Sequence, residues 1–135
     1  MIASLLDLVG GKSAPGRLYT VLWSYEFGDG FVDVPDPVLL ALEAGHLTSR
    51  AERSFLERMA VLRDLGFIRT SAVGTREFRH VLLRDPNRAV VELRASQPER
   101  VPQEWWSAFT ARCSSIGIEL PSQEAADAGF PGAQQ

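Results

Sequence analysis

The chain has little of the chemistry on which most catalytic and metal sites depend. Among 135 residues there are one cysteine, Cys113, and two histidines, His46 and His80. These three residues lie far apart and lack the short ligand spacings of zinc sites. A nucleophile, a base and an orienting acid would have to be assembled around one of only two imidazoles. We therefore expect no enzymatic activity, no cofactor and no bound metal.

Long apolar runs and internal disulfides are also missing. No stretch approaches the ~20 apolar residues that span a bilayer. The first seven residues contain Asp7 and no basic residue, which is unlike a secretory signal. The lone cysteine fits a reducing compartment. With 45% hydrophobic and 23% charged residues, the composition predicts a cytoplasmic, soluble protein with one core.

The positive charge is scarce overall but concentrated in one segment. The net charge is −3, whereas domains that bind nucleic acids are usually basic. It divides into −4 over residues 1–48, +4 over 49–100 and −3 over 101–135. All the basic residues of the central segment are arginines, which can bind phosphate or guanine through two parallel hydrogen bonds. The central segment is therefore the candidate for a nucleic-acid contact.

Residues 49–65 have the pattern of a capped amphipathic helix. Ser49 and Glu52 have the spacing of a capping box, and Gly66 is placed to end the helix. The apolar side is formed by Ala51, Phe55, Met59 and Leu62, flanked by Leu56 and Leu65. The opposite side carries Arg50, Arg53, Ser54 and Glu57, with Arg58 at its margin.

The elements around this helix predict a helix-turn-helix followed by a hairpin. Asp36 and Pro37 predict the start of a short helix that stops at Gly45, and a short helix, a glycine-containing turn and a second helix form the helix-turn-helix signature. Residues 67–71 and 76–84 predict two strands around a turn with Gly74. A first core helix at 17–27 and a short strand at 31–34 are expected upstream.

The two ends of the chain are predicted to add less regular structure. Residues 2–9 indicate a short helix within an N-terminal segment, 1–14, that is either helical or flexible. Residues 88–94 are ambiguous between strand and helix. A last helix is expected to begin at Pro102 and end at Gly117, and its apolar face is formed by Trp105, Phe109, Cys113 and Ile116. From residue 121 to 135 the small and polar residues predict a disordered tail.

The run from Glu57 to Asn87, ERMAVLRDLGFIRTSAVGTREFRHVLLRDPN, resembles the recognition helix and wing of small winged helix-turn-helix DNA-binding proteins. In particular it resembles those of bacterial plasmids and integrative elements, and the similarity extends over roughly residues 15–120. The resemblance implies an α+β, mainly α fold, with a winged helix-turn-helix domain at 15–87 and an added C-terminal helix within an extension at 88–120. It also implies sequence-specific binding of double-stranded DNA without catalysis, as a bacterial transcriptional regulator or a plasmid or mobile-element maintenance factor.

The predicted DNA-binding surface has nine residues. They are Ser49, Arg50, Arg53, Ser54, Glu57, Arg58, Arg69, Arg76 and Arg79. The N-terminal half of the helix is expected to reach base edges in the major groove, and the arginines of the hairpin to contact the backbone or minor groove. A homodimer is expected because two half-sites are usually bound by a dimer, and the location would be cytoplasmic, associated with nucleoid or plasmid.

Two alternatives remain open at this point. The arginine-bearing helix face could be a solvated surface with local ion pairs, such as Arg53 with Glu57. The domain could also be a winged-helix adaptor that binds protein and not DNA, which the acidic flanks and the two tryptophans Trp105 and Trp106 favour.

Overall fold

A computed structural model describes residues 1–11, 14–26, 28–34, 37–45 and 51–121. Over these residues the chain is α+β and mainly helical, as expected. The helices are α1 (Ile2–Val9), α2 (Gly16–Ser24), α3 (Pro37–Glu43), α4 (Ala51–Asp64), α5 (Pro86–Ser96) and α6 (Gln103–Ser115). The strands are β1 (Phe31–Asp33), β2 (Ile68–Val73) and β3 (Arg76–Leu83), and a 3-10 turn (Pro98–Arg100) connects α5 to α6.

The three strands form one antiparallel sheet with the order β1–β3–β2. The predicted hairpin is confirmed: Val73 pairs with Arg76 across the turn, and Gly74 adopts a φ of 60° there. Such a positive φ is what tight hairpin turns require and what glycine adopts without steric cost. The predicted first strand is also confirmed, since Val32 of β1 lies opposite Val81 of β3.

Among the described residues, all six helices and the sheet contribute to one hydrophobic core. The apolar side predicted for α4 is confirmed at Phe55, Met59 and Leu62, which are buried together with Leu5 and Leu6 of α1. Each helix thereby removes one apolar stripe from water, which is the main source of its stability in a protein of this size. α2, the sheet, α5 and α6 supply further buried residues, among them Leu18, Leu22, Phe67, Val81, Val90, Leu93, Phe109 and Cys113.

Two predicted apolar positions do not lie in this core. Ile116 is 63% exposed, because α6 ends at Ser115 and the chain turns away before the next residue can continue the buried face. Leu56 is also exposed, at the margin of the α4 stripe and beside the hairpin.

The ambiguous segment 88–94 is helical, within α5. Asp85 accepts hydrogen bonds from the backbone N–H groups of Asn87 and Arg88, and Pro86 occupies the first turn. An Asp cap followed by proline is a helix-start signal. Asp85 and Pro86 therefore follow the end of β3 and also begin α5. The apolar run in this segment could not decide between strand and helix, because periodicity is uninformative when both faces are largely buried.

A buried ion cluster fixes α5 to the end of the hairpin. The carboxylate of Glu92, with a side chain only 2% exposed, contacts Arg84 at 2.8 Å and Arg88 at 3.2 Å. Arg84 Nη1 also donates a hydrogen bond to the Gly66 carbonyl at 2.7 Å. Because Gly66 lies in the turn after α4, this cluster connects α5 to the end of β3 and to the turn that follows α4.

The α1–α2 junction depends on a glycine. The N–H of Gly16 donates a hydrogen bond to Asp7 Oδ1 at 2.7 Å, so a side chain of α1 caps the start of α2. A Cβ atom at this position would lie 2.4 Å from the Ala3 carbonyl oxygen. Only glycine allows the two helices to approach this closely.

Tyr19 provides a test of the packing between α2 and the hairpin base. Its ring packs edge-on against Trp23 and Phe67, and burial raises its pKa to about 12. An unfolded tyrosine has a pKa near ~10, so the stabilisation is complete below pH ~10 and is lost as the pH rises from ~10 towards 12. We expect urea unfolding of the wild-type protein to become easier over this range by up to ~1.4 kcal/mol per unit.

The Tyr19→Phe variant should lose this alkaline dependence while keeping most of the ring packing. Urea midpoints at several alkaline pH values, compared between the two proteins, measure the difference. Parallel pH profiles would contradict the assignment.

Candidate nucleic-acid interface

The helix α4 and the β2–β3 hairpin form one continuous surface, which we name the α4–hairpin surface and define as the solvent-accessible side chains of residues 52–64 and 68–83. A groove of about 220 Å³ runs between the helix and the hairpin. Its lining residues are Val34, Glu52, Phe55, Leu56, Thr75, Glu77, Phe78 and Arg79. Buried aromatic rings form its floor, and charged side chains stand at its edges.

On α4, the predicted polar side faces solvent and carries a local ion pair. Arg53 and Glu57 are exposed, and Arg53 Nε donates to Glu57 Oε1 at 3.2 Å. Ser54 and Arg58 are half-buried, and Arg58 Nη1 donates to the Ser54 carbonyl at 3.3 Å. The ion pair named as an alternative is therefore confirmed; it leaves the two terminal nitrogens of Arg53 without a described partner.

On the hairpin, the two described arginines differ in their surroundings. Arg79 forms an ion pair with Asp33 of the neighbouring strand β1, and His80 Nδ1 lies 3.2 Å from the same carboxylate. Arg69, half-exposed on β2, forms no ion pair or hydrogen bond with any residue in the described ranges. The sheet order places Arg79 in the central strand, so its guanidinium reaches the β1 side of the sheet.

Arg63 was not predicted to belong to the site, yet it connects its two halves. Its Nη1 donates to Glu77 Oε1 of β3 at 2.6 Å, its Nε lies 3.5 Å from Asp64, and its guanidinium lies over the Phe78 ring at 5.4 Å. The hydrogen bond to Glu77 is the main reason that the pKa of Arg63 is raised above its ordinary value. Sequence reasoning missed this residue because its partner lies on a different element.

Three of the nine predicted residues cannot be placed in the same way. Ser49 and Arg50 lie outside the described residues, so the predicted capping box is represented in the structure by Glu52 alone. His46 and Asp36 lie outside them too. Arg76 is the first residue of β3, and its side chain is likewise outside the description.

The electrostatics of the surface are mixed, with a positive excess. Residues 52–64 and 68–83 contain six arginines and four acids, a net of +2. Arg53, Arg63 and Arg79 are each paired with an acid of the same surface or of β1. Solvent-exposed pairs contribute only ~0–1 kcal/mol each, so another anion such as phosphate can exchange with these carboxylates once it offsets that contribution.

No family model, curated protein or solved structure matches the chain. The described part of the chain was searched for membrane-spanning helices and for metal-binding groups. None of its helices has the length and apolarity to cross a bilayer, and its His, Cys, Asp and Glu side chains do not gather in groups of three or more that could hold a metal ion.

Proposed function

We propose that the protein is a winged helix-turn-helix protein that binds double-stranded DNA in a sequence-specific manner. The observation that carries this proposal is the element order α2–β1–α3–α4–β2–β3 together with the sheet order β1–β3–β2. Helices α3 and α4 are followed by the β2–β3 hairpin. Strand β1, which precedes α3, pairs with β3 of that hairpin. This arrangement puts an arginine-bearing helix beside an exposed hairpin, which supports the proposed roles of α4 as recognition helix and of the hairpin as wing.

In the proposed complex, α4 enters the major groove, which is wide enough for a helix. Because Glu57 occupies only Nε of Arg53, the two terminal nitrogens of that guanidinium remain available to donate to O6 and N7 of a guanine. Ser54 and Arg50 lie on the same predicted face. Arg58, Arg69, Arg76 and Arg79 would contact phosphates or the minor groove, which positions the protein without reading sequence.

The proposal extends to a homodimer that binds two half-sites. It would act in transcriptional regulation or in the maintenance of a plasmid or mobile element. Its location would be the cytoplasm, in association with the nucleoid or a plasmid. Two depressions that share Ile2 support a dimer surface away from the α4–hairpin surface. One, of about 350 Å³, lies between α1 and α2, and the other, of about 300 Å³, lies between α1 and α6. The exposed apolar side chains Met1, Ile116 and Ile118 line the second.

The first test concerns Arg53. Duplexes selected from a random pool at moderate salt supply the preferred site. Arg53→Ala should weaken binding to it by ~1–3 kcal/mol and relax the preference at one base pair, if Arg53 donates two hydrogen bonds to guanine. Arg53→Lys is the matched control, because it keeps the charge and loses the two-pronged geometry. An unchanged base preference in both variants would remove Arg53 from the recognition residues.

A second candidate is a winged-helix adaptor that binds another protein. The ion-paired arginines and the aromatic floor of the groove favour it, because apolar centres with charged edges are typical of protein interfaces. This candidate predicts no salt-sensitive binding to any duplex. It also predicts a change in tryptophan fluorescence on partner binding, through the half-buried Trp105 and Trp106.

A further inference from the structure

Three carboxylates pair with Arg53, Arg63 and Arg79 of the α4–hairpin surface, and Asp64 also lies beside Arg63. Glu57 binds Arg53 within α4, Glu77 connects β3 to Arg63 of α4, and Asp33 connects β1 to Arg79 of β3. The side chains of the three acids are 55%, 58% and 62% exposed. They are therefore surface groups placed beside the cations, and burial does not account for their pairing.

We infer that Asp33, Glu57 and Glu77 act as built-in competitors of DNA phosphate that suppress sequence-independent binding. This inference rests on the proposed function and deepens it. A phosphate can bind Arg53 Nε, Arg63 Nη1 or Arg79 Nη1 only after it displaces the carboxylate that is already in place there. Base contacts from α4 are subject to less of this competition, because Glu57 occupies only Nε of Arg53.

The balance of charges explains why such competition matters here. Sequence-independent affinity comes almost entirely from phosphate contacts and grows with their number. Without the three acids, the surface would present its arginines to any duplex. With them, each exchange at these three arginines gains only the difference in binding free energy between a phosphate and a carboxylate partner, so base contacts supply a larger share of the affinity.

The test uses the full chain and three single variants, Asp33→Asn, Glu57→Gln and Glu77→Gln. Each is titrated against a random-sequence duplex over a range of salt concentrations. Each variant should bind more tightly than the wild type. The ratio of variant to wild-type affinity should grow roughly 3.5-fold as the salt falls from about 200 to about 50 mM, since one extra phosphate contact steepens the log–log slope by ~0.9.

Glu104→Gln provides the matched control. It makes the same change in net charge at an exposed position of α6, away from the α4–hairpin surface. Its affinity and salt slope should stay near those of the wild type. Circular dichroism and thermal unfolding of every variant identify any that fails to fold, and the other two then carry the test.

The outcomes separate the inference from the proposed function. If the wild type binds duplexes and the three variants bind no better than Glu104→Gln does, the inference is overturned while the proposed function stands. If no protein in the set binds any duplex, the proposed function fails and the inference with it. We expect the three variants, and not the control, to bind the random-sequence duplex more tightly. The ratio of their affinity for the selected site to their affinity for the random duplex should fall.

Discussion

Replacing Glu92 with glutamine should lower the free energy of unfolding by about 3–5 kcal/mol, the range for breaking a buried ion pair by removing one partner. The variant keeps the shape of the side chain but removes its charge. It removes the Glu92 carboxylate from the guanidinium of Arg84, which is itself only 12% exposed and lies in a largely dry site. Since small domains have ~5–15 kcal/mol of stability in total, this is a large fraction of it.

Equilibrium unfolding in urea measures this loss. Two control variants, for which smaller losses are expected, are measured beside it. Arg88→Ala should cost no more than ~1 kcal/mol, because Arg88 is considerably more exposed than Arg84. Glu119→Gln, at an exposed site near the end of α6, should stay within ~0.5 kcal/mol of the wild type. A Glu92→Gln protein as stable as Glu119→Gln would show that the cluster does not stabilise the junction of hairpin and α5.

Replacing Gly16 with alanine should destabilise the protein by about 1–3 kcal/mol, the usual cost of forcing extra atoms into a packed site. The new Cβ would lie 2.4 Å from the Ala3 carbonyl oxygen and 2.6 Å from Asp7 Oδ1. Because the first of these is a backbone atom, relief requires α1 to move away from α2. That movement would also weaken the hydrogen bond by which Asp7 caps α2.

A double variant distinguishes the backbone clash from the side-chain clash. Asp7→Ala alone should cost ~0.5–2 kcal/mol through loss of the cap. If the Ala3 carbonyl is the obstacle, adding Asp7→Ala to Gly16→Ala will not restore stability. Recovery in the double variant would instead identify the Asp7 carboxylate as the sole obstacle, and thermal unfolding of the four proteins decides between them.

The accuracy of the sequence predictions depends on how local their signals are. Residues 51–64 form a helix because Phe55, Met59 and Leu62 recur at its period, and Gly66 ends it. The Arg53–Glu57 pair could be named because residues four apart on a helix are neighbours. The ambiguity over 88–94 arose because its apolar run had no clear period, although the cap signal of Asp85 and Pro86 was present in the sequence.

The candidate site was only partly accessible to the same reasoning. An arginine-rich helix followed by a glycine-turn hairpin can be recognised in sequence, but the acid that each arginine meets cannot. Asp33 reaches Arg79 only because β1 pairs with β3, and Glu77 reaches Arg63 only because the hairpin folds back beside α4. Pairing between separate strands and helices leaves no periodic trace in the sequence.

The sequence by itself determined where most of the helices, strands and turns lie, because caps, glycines and apolar periods act over a few neighbouring residues. It also determined that positive charge gathers between residues 49 and 100. Only the tertiary structure decided which of those arginines face a carboxylate and which, such as Arg69, do not within the described residues. The physical reason is that an ion pair needs two groups within about 4 Å, and for residues distant in the chain that separation is set by packing of the whole core.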